Sequence, residues 1–86
     1  MATTAEIKAQ IQAAMEQANE AIASVTNAQT QGESAIESMS STTQDTSSSM
    51  PGEAVGQWQE AIERLTEAMT TFQAGNTTAE QYMNSI

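Results

Sequence analysis

Apolar residues in the second half of the chain recur at steps of three and four. The series runs Val55, Trp58, Ile62, Leu65, Met69 and Phe72, then continues through Asn76, Ala79, Met83 and Ile86. This is the heptad seam of a helix lying against another helix, and it predicts a helix over about 54–84. Glu60 and Arg64 stand four apart on the outer side with Glu63 and Glu67 beside them, an ordinary solvated face. Gly75-Asn76 interrupts the run, and Thr77-Thr78-Ala79-Glu80 repeats the tetrapeptide Thr3-Thr4-Ala5-Glu6. The last ten residues are therefore expected to form a separate or frayed turn, with Asn76 ending the helix rather than setting register.

The first half carries a weaker stripe. Thr3-Thr4-Ala5-Glu6 reads as a capping box that opens a helix over about 4–40. Ile11, Ala18, Val25, Gly32 and Met39 fall in one row at a seven-residue period. Ile7, Ala14, Ala21, Ala28 and Ala35 fall in an adjoining row, and Met15, Ile22 and Ile36 widen the face. Small residues dominate, so a partner helix can approach closely. Gly32 is the weak point, costing about 1 kcal/mol relative to alanine in a helix interior, and a kink is expected there. Residues 40–49 are a Ser/Thr-rich polar stretch, and Pro51 and Gly52 follow. A loop over 40–53 is expected, because low-propensity residues and a proline both oppose one continuous helix.

These elements give an all-α protein: one domain over 1–86, folded as an antiparallel two-helix hairpin. At the helical rise of about 1.5 Å per residue each arm is about 50–55 Å long. A bare hairpin of that length has no interior, and chains this short gain only ~3–5 kcal/mol from a single core. Dimerisation into a four-helix bundle, with itself or with a different chain, is the expected solution. The packing residues are expected to be Ile11, Val25, Trp58, Ile62, Leu65, Met69 and Phe72.

Composition narrows the function. Among 86 residues, 2 are basic and 11 acidic, a net charge of -9, with no cysteine and no histidine. Disulfide scaffolds and Cys or His nucleophile–base pairs are excluded, and zinc sites lose their usual ligands. Nucleic acid and anionic membrane surfaces are disfavoured as partners, since both are held through Lys and Arg. The longest apolar run, Ala13-Ala14-Met15, falls far short of the ~20 residues of a membrane span, so no membrane insertion is expected. The N-terminus shows neither a basic segment nor an apolar one. The chain is accordingly expected to be cytoplasmic as synthesised, with secretion only by a route that needs no cleaved signal peptide.

Catalytic raw material is limited to carboxylates. Glu16 and Glu20, and again Glu33 and Glu37, share a helix face. A carboxylate-bridged di-metal bundle needs Glu-x-x-His pairs, and these acids lie among Gln and Ser, so they read as solvated faces. The glycines at 32, 52, 56 and 75 are too scattered for a phosphate loop. No catalytic residue, metal ligand or cofactor is expected. Trp58 and Phe72 read first as packing residues and second as partner-facing anchors. The acids are spread along both helices without a dense run, which fits solubility rather than nucleic-acid mimicry.

Met50-Pro51-Gly52-Glu53-Ala54, followed by Gln57-Trp58-Gln59 and the helical stretch from Ala61 to Phe72, resembles the WXG family of small proteins of type VII (ESX) secretion systems. Members of that family carry Trp-Xaa-Gly at the turn of a helical hairpin. Here Met50 stands in place of the tryptophan and Gly52 keeps the glycine. The family's Tyr-Xaa-Xaa-Xaa-Asp/Glu export signal is matched only by Tyr82, with Ile86 in the acid's position. The resemblance implies a turn built on Met50, Pro51 and Gly52, and a recognition tail containing Tyr82. It also implies a bundle formed with itself, with a sister hairpin or with a larger effector, delivered to a secretion ATPase. A partner subunit would then supply the complete export signal. Two other classes stay open: a structural or assembly protein of a phage or appendage, and a cytoplasmic adaptor or inhibitor of one target.

Overall fold

Two long helices account for nearly the whole chain. The computed structural model describes residues 1–86 as α1, Thr4–Thr42, and α2, Met50–Ser85, joined by a short connection. The helices run antiparallel in a rod of 66 × 17 × 14 Å. The all-α helical hairpin expected from the periodicity is the architecture observed.

Local chemistry explains the ends. Thr3 is extended at φ -76°, ψ 163°, and its hydroxyl accepts the Glu6 N–H at 3.1 Å, satisfying one of the free donors of the first turn. At the other end of α1 the Thr43 N–H and hydroxyl both reach the Met39 carbonyl, at 3.1 and 2.6 Å. The Glu53 N–H donates to the Ser49 carbonyl at 3.1 Å and opens α2.

Three expectations are corrected here. The connection spans 43–49, not 40–53. On its α1 side the Ser41 hydroxyl donates to the Glu37 carbonyl at 2.9 Å, so it caps a helical carbonyl instead of competing for the backbone. On its α2 side Pro51 occupies the first helical turn, where no partner is needed for the missing N–H. Met50, Pro51 and Gly52 therefore begin α2 and do not form the turn between helices. Second, α1 runs unbroken through Gly32. The glycine is instead a point of close approach: a Cβ placed on it would lie 3.1 Å from Ile62 Cδ1. Third, α2 continues through Gly75-Asn76 to Ser85, with no separate terminal turn. Thr77 and Thr78 donate their hydroxyls to the Gln73 and Ala74 carbonyls, both at 3.1 Å, and stay within the helix.

The seam of α1 also differs from the expected one. Half-buried positions step through Ile11, Met15, Ala18, Ile22, Val25 and Gln29, then Gly32, Ile36, Met39 and Thr43. The second row is thus Met15, Ile22, Gln29 and Ile36, while Ala14, Ala28 and Ala35 stay exposed beside it. Larger side chains gain more by lying between the helices, and a helix flank suffices for alanine. Even so, none of the 86 residues is buried. One stripe per helix meets its neighbour, and no second layer covers the pair. Neither helix is long and apolar enough to cross a membrane.

Candidate helix-pairing faces

Gly32 opposite Ile62 sets the register of the hairpin. Stepping one heptad at a time opposes Val25 to Met69, Ala18 to Asn76 and Ile11 to Met83, and in the other direction Met39 to Val55. The intervening layers oppose Ile36 to Trp58 and Ile22 to Phe72. Ile11, Val25, Trp58, Ile62, Leu65 and Met69 are all half-buried on this seam, as the spacing implies. Phe72 occupies a seam position yet is 41% exposed, so part of its ring faces outward.

The two sides of the hairpin are chemically unlike. One flank carries Asn19, Thr26 and Glu33 on α1 with Gln59, Thr66 and Glu80 on α2. Two side-chain hydrogen bonds tie the helices together on this side. Gln29 Nε2 donates to Thr66 Oγ1 at 2.7 Å and Asn76 Nδ2 to Asn19 Oδ1 at 2.9 Å, while the Thr26 hydroxyl, which donates to the Ile22 carbonyl at 3.1 Å, stands 3.6 Å from Met69 Sδ. Asn76 is therefore a cross-helix partner, correcting the expectation that it ends α2. The shallow hollows on this side are edged by Glu33 and Glu63, and by Glu16 and Glu80.

The opposite flank carries Ala14, Ala21, Ala28 and Ala35 on α1. Facing them on α2 are Ala54, Ala61, Ala68, Gly75 and Tyr82. No hydrogen bond crosses between the helices here. Two hollows open on it instead. One, of about 440 Å³, is lined by Ala18, Ala68, Thr71, Phe72, Gly75 and Asn76. The other, of about 390 Å³, is lined by Ala35, Ser38, Met39, Thr42 and Trp58. No acidic residue lies on this flank or on the row of Gln, Ser and Thr outside it, where Arg64 is the single charge.

Of the remaining expected positions, Met50 is 72% exposed in the first turn of α2, and Tyr82 is 54% exposed at the far end of the alanine flank. The Glu60–Arg64 pair closes at 2.7 Å with both side chains in solvent, so it contributes little. No three acidic side chains converge as a metal site. Reading the sequence for its strongest stripe missed the α2 flank, although the period-seven series Ala54, Ala61, Ala68, Gly75 was its signal.

The chain is thus an elongated helical hairpin with one hydrogen-bonded polar side and one uncharged small-residue side. The chain matches no protein-family model, no curated protein and no solved structure.

Proposed function

We propose that this chain is a non-catalytic interaction protein that acts as half of a four-helix bundle. Its second half is another copy, a related hairpin or a helical segment of a larger effector. The observation that carries this reading is that 86 residues fold into two full-length helices without burying one side chain. A domain in that condition covers its large apolar side chains only partly, has no enclosed core, and gains by adding a second helical layer. The biological setting that best fits the size, the hairpin and the Met50–Ala54 segment is that of type VII secretion substrates or their escorts. In that setting the bundle is the unit delivered to a secretion ATPase. The start of α2 at Met50 places the Gly52 segment on the second helix, so recognition there would use the first turn of α2 rather than a loop.

Solution mass by light scattering, with far-UV circular dichroism on the same sample, tests the pairing. A cooperative helical assembly larger than one 9.1 kDa chain supports it, and a stable, cooperatively folding monomer refutes it. A larger regular oligomer would favour an assembly protein. Export is tested separately, by recovery of the chain from culture supernatant and its loss when the secretion ATPase is deleted. Retention in the lysate in both strains would refute the substrate role.

A further inference from the structure

We propose that Met15 and Met83, at the open end of the hairpin, form a reversible oxidation site: peroxide converts their thioethers to sulfoxides and so releases the last turns of α2 from α1. The proposal concerns the hairpin itself and does not rest on the pairing reading above.

The chain holds 6 methionines and no cysteine, so thioethers are its only sulfur groups. Met1 and Met50 are exposed and lie off the seam. Met15, Met39, Met69 and Met83 are half-buried on it. Their seats differ. Met69 lies opposite Val25, between Leu65 and Phe72 in the middle of the seam. Met39 stands beside Trp58 at the end where the chain itself joins the helices.

Met15 and Met83 lie at the other end, where nothing covalent holds the helices together. They line one hollow of about 400 Å³, with Gln12, Glu16, Asn19 and Glu80 around it. The register set by Gly32 and Ile62 puts Met83 opposite Ile11 and Met15 opposite Ala79. Beyond Asn76, then, α2 is held by Ala79 and Met83 alone, with Ile86 already 40% exposed. Ala79 contributes a single side-chain carbon, so the two methionines and Ile11 supply most of the apolar cover here. The segment's own helical tendency does not replace that contact. Thr77–Ser85 is nine residues long, below the ~12–15 at which an isolated helix becomes even marginally stable in water.

Neither methionine is buried, so hydrogen peroxide reaches both sulfurs without unfolding. Peroxide is neutral, and the carboxylates of Glu16 and Glu80 do not repel it. The sulfur lone pair attacks one peroxide oxygen and forms the S–O bond. The O–O bond breaks, and the second oxygen leaves as water with both hydrogens; sulfur is oxidised and peroxide reduced. The product is a polar acceptor in place of a flexible apolar group. The carboxylates at the edge of the hollow only accept hydrogen bonds. The available donors, Gln12 and Asn19, are both exposed, so a sulfoxide that bonds them turns out of the seam.

The test is peroxide treatment of the full chain, read by peptide-mapping mass spectrometry and by amide hydrogen exchange. It compares the wild-type chain with Met15→Leu/Met83→Leu and with Met39→Leu/Met69→Leu. Leucine keeps the volume and the apolar character and is not oxidised. In Met39→Leu/Met69→Leu, where Met15 and Met83 are the only seam sulfurs left, each is expected to gain one oxygen. Exchange over 77–85 should then accelerate by about 10-fold or more, while exchange over 55–72 stays within about 3-fold. The wild-type chain should show the same acceleration over 77–85, and Met15→Leu/Met83→Leu should show none. Methionine sulfoxide reductases should restore slow exchange, and failure to do so overturns the reversibility. Met15 and Met83 left unoxidised when Met50 is fully oxidised overturns the site. Oxidation of both with unchanged exchange, fast exchange before any peroxide, or equal acceleration in Met15→Leu/Met83→Leu overturns the release. None of these readouts depends on the oligomeric mass, so helix pairing stands or falls separately.

Discussion

Replacing Gly32 by alanine sets two effects of similar size against each other. In a helix interior the change gains about 1 kcal/mol, because alanine loses less backbone freedom on folding. At this position, however, the new Cβ would lie 3.1 Å from Cδ1 and 3.2 Å from Cγ1 of Ile62. Carbon atoms prefer about 3.5–4.0 Å, so the Ile62 side chain must withdraw by roughly half an ångström. Ile62 is half-buried and not enclosed, which gives it room to move. The overpacking penalty should then fall at the low end of its range, about 1 kcal/mol. The expected net change is within about 0.5 kcal/mol of zero. Gly56→Ala is the reference, since nothing lies within 4 Å of its Cβ position. It should keep the whole gain of about 1 kcal/mol and raise Tm by about 4–8 °C. Gly32→Leu adds three further carbons at the same contact and should destabilise by about 1–3 kcal/mol. Thermal and urea unfolding followed by circular dichroism measure all three. One fixed protein concentration is needed, because self-association shifts the midpoint. If Gly32→Ala raises Tm as far as Gly56→Ala does, the helices do not meet at this layer, and the register built on Gly32 and Ile62 fails.

Three further outcomes are expected. Asn76→Leu removes the 2.9 Å bond to Asn19 but adds apolar area on the seam; stability should rise by about 1 kcal/mol while register specificity falls, which cross-linking of cysteine pairs placed along the two helices would register as new cross-helix pairings. Trp58→Ala should lower stability by about 3 kcal/mol, the low end for a large aromatic because the residue is only half-buried; a loss below about 1 kcal/mol would remove Trp58 from the packing. Thr3→Ala deletes the cap on the Glu6 N–H and should lower stability by about 1 kcal/mol, with hydrogen exchange accelerating in the first turn of α1; unchanged exchange there would contradict the cap.

Much of the hairpin was legible in spacing. Val55 through Phe72 repeats at three and four, and only a helix places such residues on one side. The Thr3 cap was equally readable, because its bond is local, although the return bond from the Glu6 side chain that would complete a capping box does not form. What failed were judgements that treated single residues as self-sufficient signals. Gly32, Gly75 and Pro51 read as interruptions by propensity, yet each lies inside or at the start of a helix. A propensity term of about 1 kcal/mol is small beside the packing of an apolar stripe along a helix more than thirty residues long. The choice between the alanine row and the Met15–Ile22–Ile36 row was also beyond reach of one helix considered alone. Both are consistent with the period, and the partner selects the row whose side chains fill the gap.

The sequence by itself determined that the chain is helical, that it turns back once, and that each helix has one apolar stripe. All of these follow from interactions within a few residues. Only the tertiary structure decided the register, set by Gly32 against Ile62, and the division of the hairpin into two sides. Asn19 with Asn76, and Gln29 with Thr66, meet across 57 and 37 residues of chain. Their bonds draw the polar rows of both helices to one flank and leave the alanine rows together on the other. Antiparallel packing places equivalent rows of two helices side by side, and no property of either helix alone specifies that pairing.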